Sequence, residues 1–182
     1  MKKYKILLFI VVLFSVAVQS QTLESRLLEA CYENEEKEVF DLLRMGASPN
    51  AKTNDGISPL MYTVQNGNYI LTQKLLESGA DANYSTNTNP APIINASLNN
   101  DTAIAILLLE YNAKPDVIDY WTNKTPLIIA IEKENLILID YLLYYGANVN
   151  KQAKENPLIY ALYNGADTSV VRTILKYKPN IN

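Results

Sequence analysis

The chain has 182 residues, 48% hydrophobic and 19% charged, an ordinary globular balance able to bury a core. It carries 16 basic and 19 acidic residues, one cysteine and no histidine. Those counts exclude an intramolecular disulfide, a cysteine-rich zinc site and the usual general base, and they argue against a nucleic-acid or anionic-membrane surface, which needs a basic stripe.

Residues 1–20, MKKYKILLFIVVLFSVAVQS, place Lys2, Lys3 and Lys5 ahead of an apolar run over 6–18. This is the pattern of a secretory signal, and the run is shorter than the roughly 20 residues that a membrane span needs. Val18 and Ser20 suit the positions three and one before a cut, so cleavage is expected after Ser20. The alternative is an uncleaved segment that tethers the protein to the inner membrane. Cleavage leaves 13 basic against 19 acidic residues, a net charge of −6. Cys31 lies eleven residues beyond Ser20, too far to be a lipid-anchor cysteine.

Residues 21–182 form one domain of repeated units. The stretch 121–150, WTNKTPLIIAIEKENLILIDYLLYYGANVN, holds one complete unit: TPLIIAI opens a helix, IDYLLYYGA closes a second, and ANVN starts an extended turn. A step after the second helix recurs as Gly46-Ala47, Gly79-Ala80, Asn112-Ala113, Gly146-Ala147 and Lys178-Pro179, at intervals of 33, 33, 34 and 32 residues. Glycine or asparagine there accepts the left-handed conformation that satisfies the last helical carbonyls. Four residues later come Asn50, Asn83, Asp116, Asn150 and Asn182, expected to bond their own backbone in a turn. Four residues before the step lie the pairs Leu42-Leu43, Leu75-Leu76, Leu108-Leu109, Leu142-Leu143 and Ile174-Leu175. All ten are expected to be buried, each contributing on the order of 1.5 to 3 kcal/mol before entropy is subtracted.

The first helices repeat as well. Leu27, Leu60, Ile93, Leu127 and Leu158 share one position, and the small Ala30, Thr63, Ala96, Ala130 and Ala161 share the next buried one, where they allow close helix approach. Ser58-Pro59, Ala91-Pro92, Thr125-Pro126 and Asn156-Pro157 precede these helices, with proline where its missing N–H costs little.

In these motifs, GISPLMYTVQNG with LLESGADAN and NKTPLIIAI with LLYYGANVN, the chain resembles the ankyrin repeat family. The resemblance covers five units, about 22–54, 55–87, 88–120, 121–153 and 154–182. It implies an all-α solenoid of helix-turn-helix repeats joined by β-hairpin-like fingers, with a concave face that binds partners. The family's TPLH histidine falls on Met61, Ile94, Ile128 and Ile159, so packing is expected to replace the hydrogen bonds that histidine supplies. Glu134 stands where Gly67 and Gly165 form the turn between helices, which leaves the geometry of the fourth unit open. The first unit, with Glu33, Glu35, Glu36 and Glu38, reads as a solvated N-terminal cap, and Lys178-Pro179 as a C-terminal one.

Candidate chemistry is sparse. Neither a GxSxG nor a P-loop motif occurs, and no catalytic residue, cofactor or metal is expected. Cys31 aligns with Val64, Ser97, Ile131 and Leu162 on a packed face and is expected to be a core thiol. Tyr120 and Trp121, in the longest connection, are either packed against neighbouring fingers or exposed as an aromatic anchor. Tyr111, Tyr145 and Tyr177 share one phase and are expected to pack between repeats. Asn83, Asn95, Asn100 and Asn123 each begin an N-x-S/T triplet, as chance allows in an asparagine-rich chain.

The resemblance places the partner-binding surface on the fingers and the exposed side of the first helices. Residue by residue this gives Lys52, Asn54, Asp55, Ile57, Gln65 and Asn66 in the second unit, and Ser85, Asn87, Thr88, Pro90, Leu98 and Asn99 in the third. The fourth contributes Trp121, Thr122, Lys124, Glu132 and Lys133, and the fifth Glu155, Tyr163 and Asn164. The expected function is an exported, periplasmic or secreted, monomeric module that binds another protein without catalysis. The rivals are an inhibitor or immunity-type protein acting on an envelope toxin or enzyme, and an enzyme or stress-protection factor using carboxylates on the fingers.

Overall fold

The computed structural model describes residues 22–150 and 156–179. The signal segment and Asn182 lie outside the described residues. Among the described residues ten helices form five antiparallel pairs: α1 Leu23–Tyr32 with α2 Glu36–Arg44, α3 Pro59–Gln65 with α4 Tyr69–Glu77, α5 Pro92–Leu98 with α6 Thr102–Glu110, α7 Pro126–Glu132 with α8 Leu136–Tyr144, and α9 Pro157–Tyr163 with α10 Thr168–Lys176. First helices pack on first helices and second helices on second helices, each pair against the pair before and after it. The result is a two-layered stack. Among the described residues the fingers contain turns and no strand.

Local chemistry sets the helix starts. Thr22, Ser58 and Thr125 each accept a hydrogen bond from a backbone amide in the first turn of α1, α3 and α7, and proline leads α3, α5, α7 and α9. Asn68, Asp101 and Asn135 cap α4, α6 and α8 in the same way. At the turn between paired helices the backbone is left-handed at Asn34, Gly67, Asn100, Glu134 and Gly165. Glu134, at φ 51°, therefore adopts the same turn as the glycines, and the fourth unit keeps the common geometry.

The core lies between the layers. Leu27, Leu60, Ile93, Leu127 and Leu158 are buried, as are Ala30, Thr63, Ala96, Ala130 and Ala161. Met61, Ile94 and Ile128 fill the histidine position with buried side chains, so packing replaces that bond in the inner repeats. Cys31 is buried, and loss of hydration of the thiolate pushes its pKa up to about 12.

Three expectations need correction. The paired aliphatics are not all buried, since Leu43 is half-buried and Leu175 is 48% exposed. Leu162, expected on a packed face, is 60% exposed, and Ile159 is 59% exposed. At the equivalent positions of the fourth unit Ile128, Ile131 and Leu143 are buried beside a following helix pair, and among the described residues no pair follows α9 and α10; Lys178, at φ 53°, keeps the left-handed step. The asparagine register also works differently. Asn50 Nδ2 donates to the Gly79 carbonyl at 2.9 Å and its Oδ1 accepts from the Asp81 amide at 2.8 Å, while Asn83 makes the matching pair with Asn112 and Lys114. Asp116 accepts from the Asn148 amide at 3.0 Å. These side chains tie the first four repeats to one another, and the local turn is made two residues earlier, by Ser48, Asp81 and Asn148.

Candidate partner-binding surface

The fingers of the second, third and fourth units are closed by their own hydrogen bonds. In the second unit the Thr53 amide donates to the Ile57 carbonyl at 3.0 Å, and Gly56, at φ 75°, turns the chain where a Cβ would come within 3.0 Å of Thr86 in the next finger. Asn89 Nδ2 donates across to the Asp55 carbonyl at 2.9 Å, so the second and third fingers lie side by side. Lys52 Nζ sits 3.9 Å from the centre of the Tyr84 ring.

The fourth finger is held by a buried side chain. Asp119 is 2% exposed, and its Oδ2 accepts from both the amide and the hydroxyl of Thr122. The Asp119 amide donates to the Lys124 carbonyl at 2.9 Å, closing the loop. Between these anchors Tyr120 and Trp121 stand 72% and 68% exposed, edge to face at 5.9 Å. The packed alternative for these two rings is therefore excluded.

Glu132, at the end of α7, accepts from Lys124 Nζ at 2.6 Å and from the Tyr160 hydroxyl of α9. Finger, first helix and next first helix thus share one face, and its central carboxylate is already paired. Tyr163, one turn along from Tyr160, is 84% exposed. At the other end of the stack Tyr32 meets Tyr62 edge to face at 5.4 Å. Burial raises the Tyr62 pKa first, with smaller contributions from Tyr32 and Asp55.

Of the residues assigned to this surface, Lys52, Asn54, Asp55, Gln65, Asn66, Ser85, Asn87, Thr88, Leu98, Asn99, Trp121, Thr122, Glu132, Lys133, Tyr163 and Asn164 are exposed. Ile57, Pro90 and Lys124 are half-buried, and Glu155 lies outside the described residues. Asn66 also donates to the Cys31 carbonyl at 3.1 Å, so part of its side chain is committed to the stack. Asp119, Tyr84, Asn89 and Tyr160 were not anticipated. The Asp-x-x-Thr spacing of 119–122 is the signal for the first of them.

Of the tyrosines expected between repeats, Tyr177 donates its hydroxyl to the Asp140 carbonyl at 3.2 Å, whereas Tyr145 pairs with its neighbour Tyr144 and is partly exposed, as is Tyr111. Among the described residues no three carboxylate or thiol groups converge as a cation site.

Helix pairs stacked in register, with ordered loops beside the first helices, define a helical-repeat solenoid that presents a broad recognition surface. A family described as ankyrin repeats in three copies matches residues 27–119 and 95–182, and the chain belongs to the ankyrin-repeat family, whose repeats bind other proteins. It is 30% identical over 115 residues to the B-cell lymphoma 3 protein homolog of Mus musculus, covering 61% of this chain and 26% of that protein. It is also 30% identical over 89 residues to the putative ankyrin repeat protein FPV031 of Fowlpox virus, covering 48% of this chain and 26% of the relative. The chain thus spans about a quarter of the length of these relatives.

Proposed function

We propose that the protein is an exported, non-catalytic module that holds another protein on its concave side, with the fourth finger as the anchor. The observation that carries this reading is the exposed Tyr120–Trp121 pair on a loop fixed by a buried aspartate. Large rings held rigid lose little conformational entropy on binding, which is why Trp and Tyr dominate binding hot spots. Carboxylates beside the rings are engaged, Asp119 with Thr122 and Glu132 with Lys124 and Tyr160, which supports recognition over acid–base chemistry. The residues of 1–20 support export, with cleavage after Ser20.

The experiment is affinity capture from envelope extract with wild-type protein and with Trp121→Ala and Lys124→Ala variants, followed by titration of the captured protein. The expected outcome is a defined partner whose affinity falls about tenfold or more with Trp121→Ala, the range of a hot-spot residue. Equal affinity for wild type and Trp121→Ala rejects the finger as the anchor. Amino-terminal sequencing of the mature protein tests export and cleavage.

A further inference from the structure

The outer side of the second-helix layer carries charge everywhere except at α8. The positions of Lys37, Asp41 and Arg44 in α2 hold Ile70, Lys74 and Glu77 in α4, Ala103, Leu107 and Glu110 in α6, and Ser169, Thr173 and Lys176 in α10, so each of these helices places at least one charge there. In α8 they hold Ile137, Tyr141 and Tyr144, exposed by 61%, 39% and 76%. Leu136 and Tyr145, at the two ends of the helix, are exposed as well. The one charged residue of α8, Asp140, is half-buried and accepts from the Tyr177 hydroxyl at 3.1 Å. This face lies inside the array, because α8 packs between α6 and α10.

With large rings presenting roughly 150–250 Å² each when whole, the exposed parts of these five side chains come to about 500 Å², more than scattered surface residues provide. Two copies meeting through the patch bury about 1,000 Å² before the flanking residues are added, which reaches what a specific interface needs. The flanks select the occupant. Glu110, Tyr144 and Lys176 each end a nine-residue helix, so an exposed acid and an exposed base stand at the same level on opposite sides of Tyr144. Lys176 lines a groove with Leu136, Ile137, Asp140 and Tyr141, and among the described residues neither Glu110 nor Lys176 enters an ion pair. A two-fold axis running along α8 lays the α6 side of one copy over the α10 side of the other, which sets each Glu110 against the Lys176 opposite. A patch that carries its own complement is what an isologous contact requires.

We propose that the outer face of α8 joins two copies of this chain, their α8 helices facing each other in parallel, in place of the monomer expected from the sequence. The Trp121 finger is tied to the first-helix layer through Lys124 and Glu132, so each copy keeps its finger free.

The test is sedimentation equilibrium of the purified protein, which should show a reversible monomer–dimer equilibrium. Tyr144→Glu should weaken self-association at least tenfold, the range of a central interface residue, with circular dichroism checking that the fold persists. Glu110→Lys and Lys176→Glu should each weaken it about tenfold, because like charges then meet at two places in the dimer. Mixing these two variants should restore association, since every lysine of one then faces a glutamate of the other. That recovery is specific to a two-fold contact with α8 parallel, because the two residues are not paired within one copy. A protein that stays monomeric up to millimolar concentration overturns the proposal. So does a dimer that folded Tyr144→Glu leaves intact, or a mixture of the two charge variants that associates no better than either alone.

Discussion

Asn83 reaches across the step between two repeats, its Nδ2 donating to the Asn112 carbonyl at 2.9 Å while its Oδ1 accepts from Lys114 at 2.8 Å. Asn50 makes the same pair of bonds one repeat earlier, to Gly79 and Asp81. Where the family's histidine is missing, these asparagines add a second link to the packing of Met61 and Ile94. Each net hydrogen bond is worth roughly 0.5–1.5 kcal/mol. Asn83→Ala should therefore lower stability by about 1–2 kcal/mol in urea unfolding. Asn83→Asp should lower it at least as much, because a carboxylate oxygen would face the Asn112 carbonyl. A variant that unfolds at the wild-type urea concentration would show that the bonds carry no net stability.

Glu134 carries a left-handed backbone at φ 51°, where Gly67 and Gly165 hold the equivalent turns at φ 69°. A side chain there costs about 1 kcal/mol relative to glycine. The carboxylate recovers little, through a 3.3 Å contact from the Asp167 amide. Glu134→Gly should raise the unfolding midpoint, by about 0.5 kcal/mol in free energy, while Glu134→Val should lower it because β-branching resists this conformation. Calorimetry of the two variants provides the check, and a stabilised valine variant would refute the strain argument.

The helix pairs were legible in the sequence because one periodicity places Leu27, Leu60, Ile93, Leu127 and Leu158 on the same inner face, and all are buried. The same periodicity misled at Leu162 and Leu175. A register specifies which way a side chain points, but burial also needs a neighbour on that side, and the last pair has none among the described residues. The asparagine positions were visible, yet their partners were not. A side chain that can close its own turn can equally reach a carbonyl 29 residues away, and only the spacing between stacked repeats decides between these. For the fourth finger, two aromatic residues in a loop are compatible with packing or exposure, and the buried Asp119–Thr122 contact is what holds them outward.

Cys31 occupies the position of Val64 and Ile131 in later repeats, and all three are buried. Its thiol should react with a thiol reagent only on unfolding. Its folded pKa, about 12 against an ordinary 9.0, is raised by burial. A raised acid stabilises the fold fully below the unfolded pKa, and that contribution declines from about pH 9 toward pH 12, by roughly 1.4 kcal/mol per pH unit. Cys31→Val fills the site with the side chain already used at Val64. Its stability should fall less steeply than wild type over this window. Parallel pH curves for the two proteins would show that the thiol is not the group responsible.

Asp119 and Trp121 separate order in the finger from recognition by it. Removing the ring should alter stability by no more than about 0.5 kcal/mol, because Trp121 is largely in solvent. Removing the buried carboxylate should be worse, since the Thr122 amide and hydroxyl both lose their acceptor, at about 1–2 kcal/mol. The loop should also loosen, so steady-state anisotropy of Trp121, the chain's single tryptophan, should drop in Asp119→Ala and stay near wild type in Lys124→Ala. If the finger is the anchor, Asp119→Ala should weaken partner binding even though it removes no exposed side chain, because a mobile ring must be ordered again on contact. Unaltered Trp121 anisotropy in Asp119→Ala would mean that backbone bonds alone fix the finger, and the aspartate would then have no part in presenting the rings.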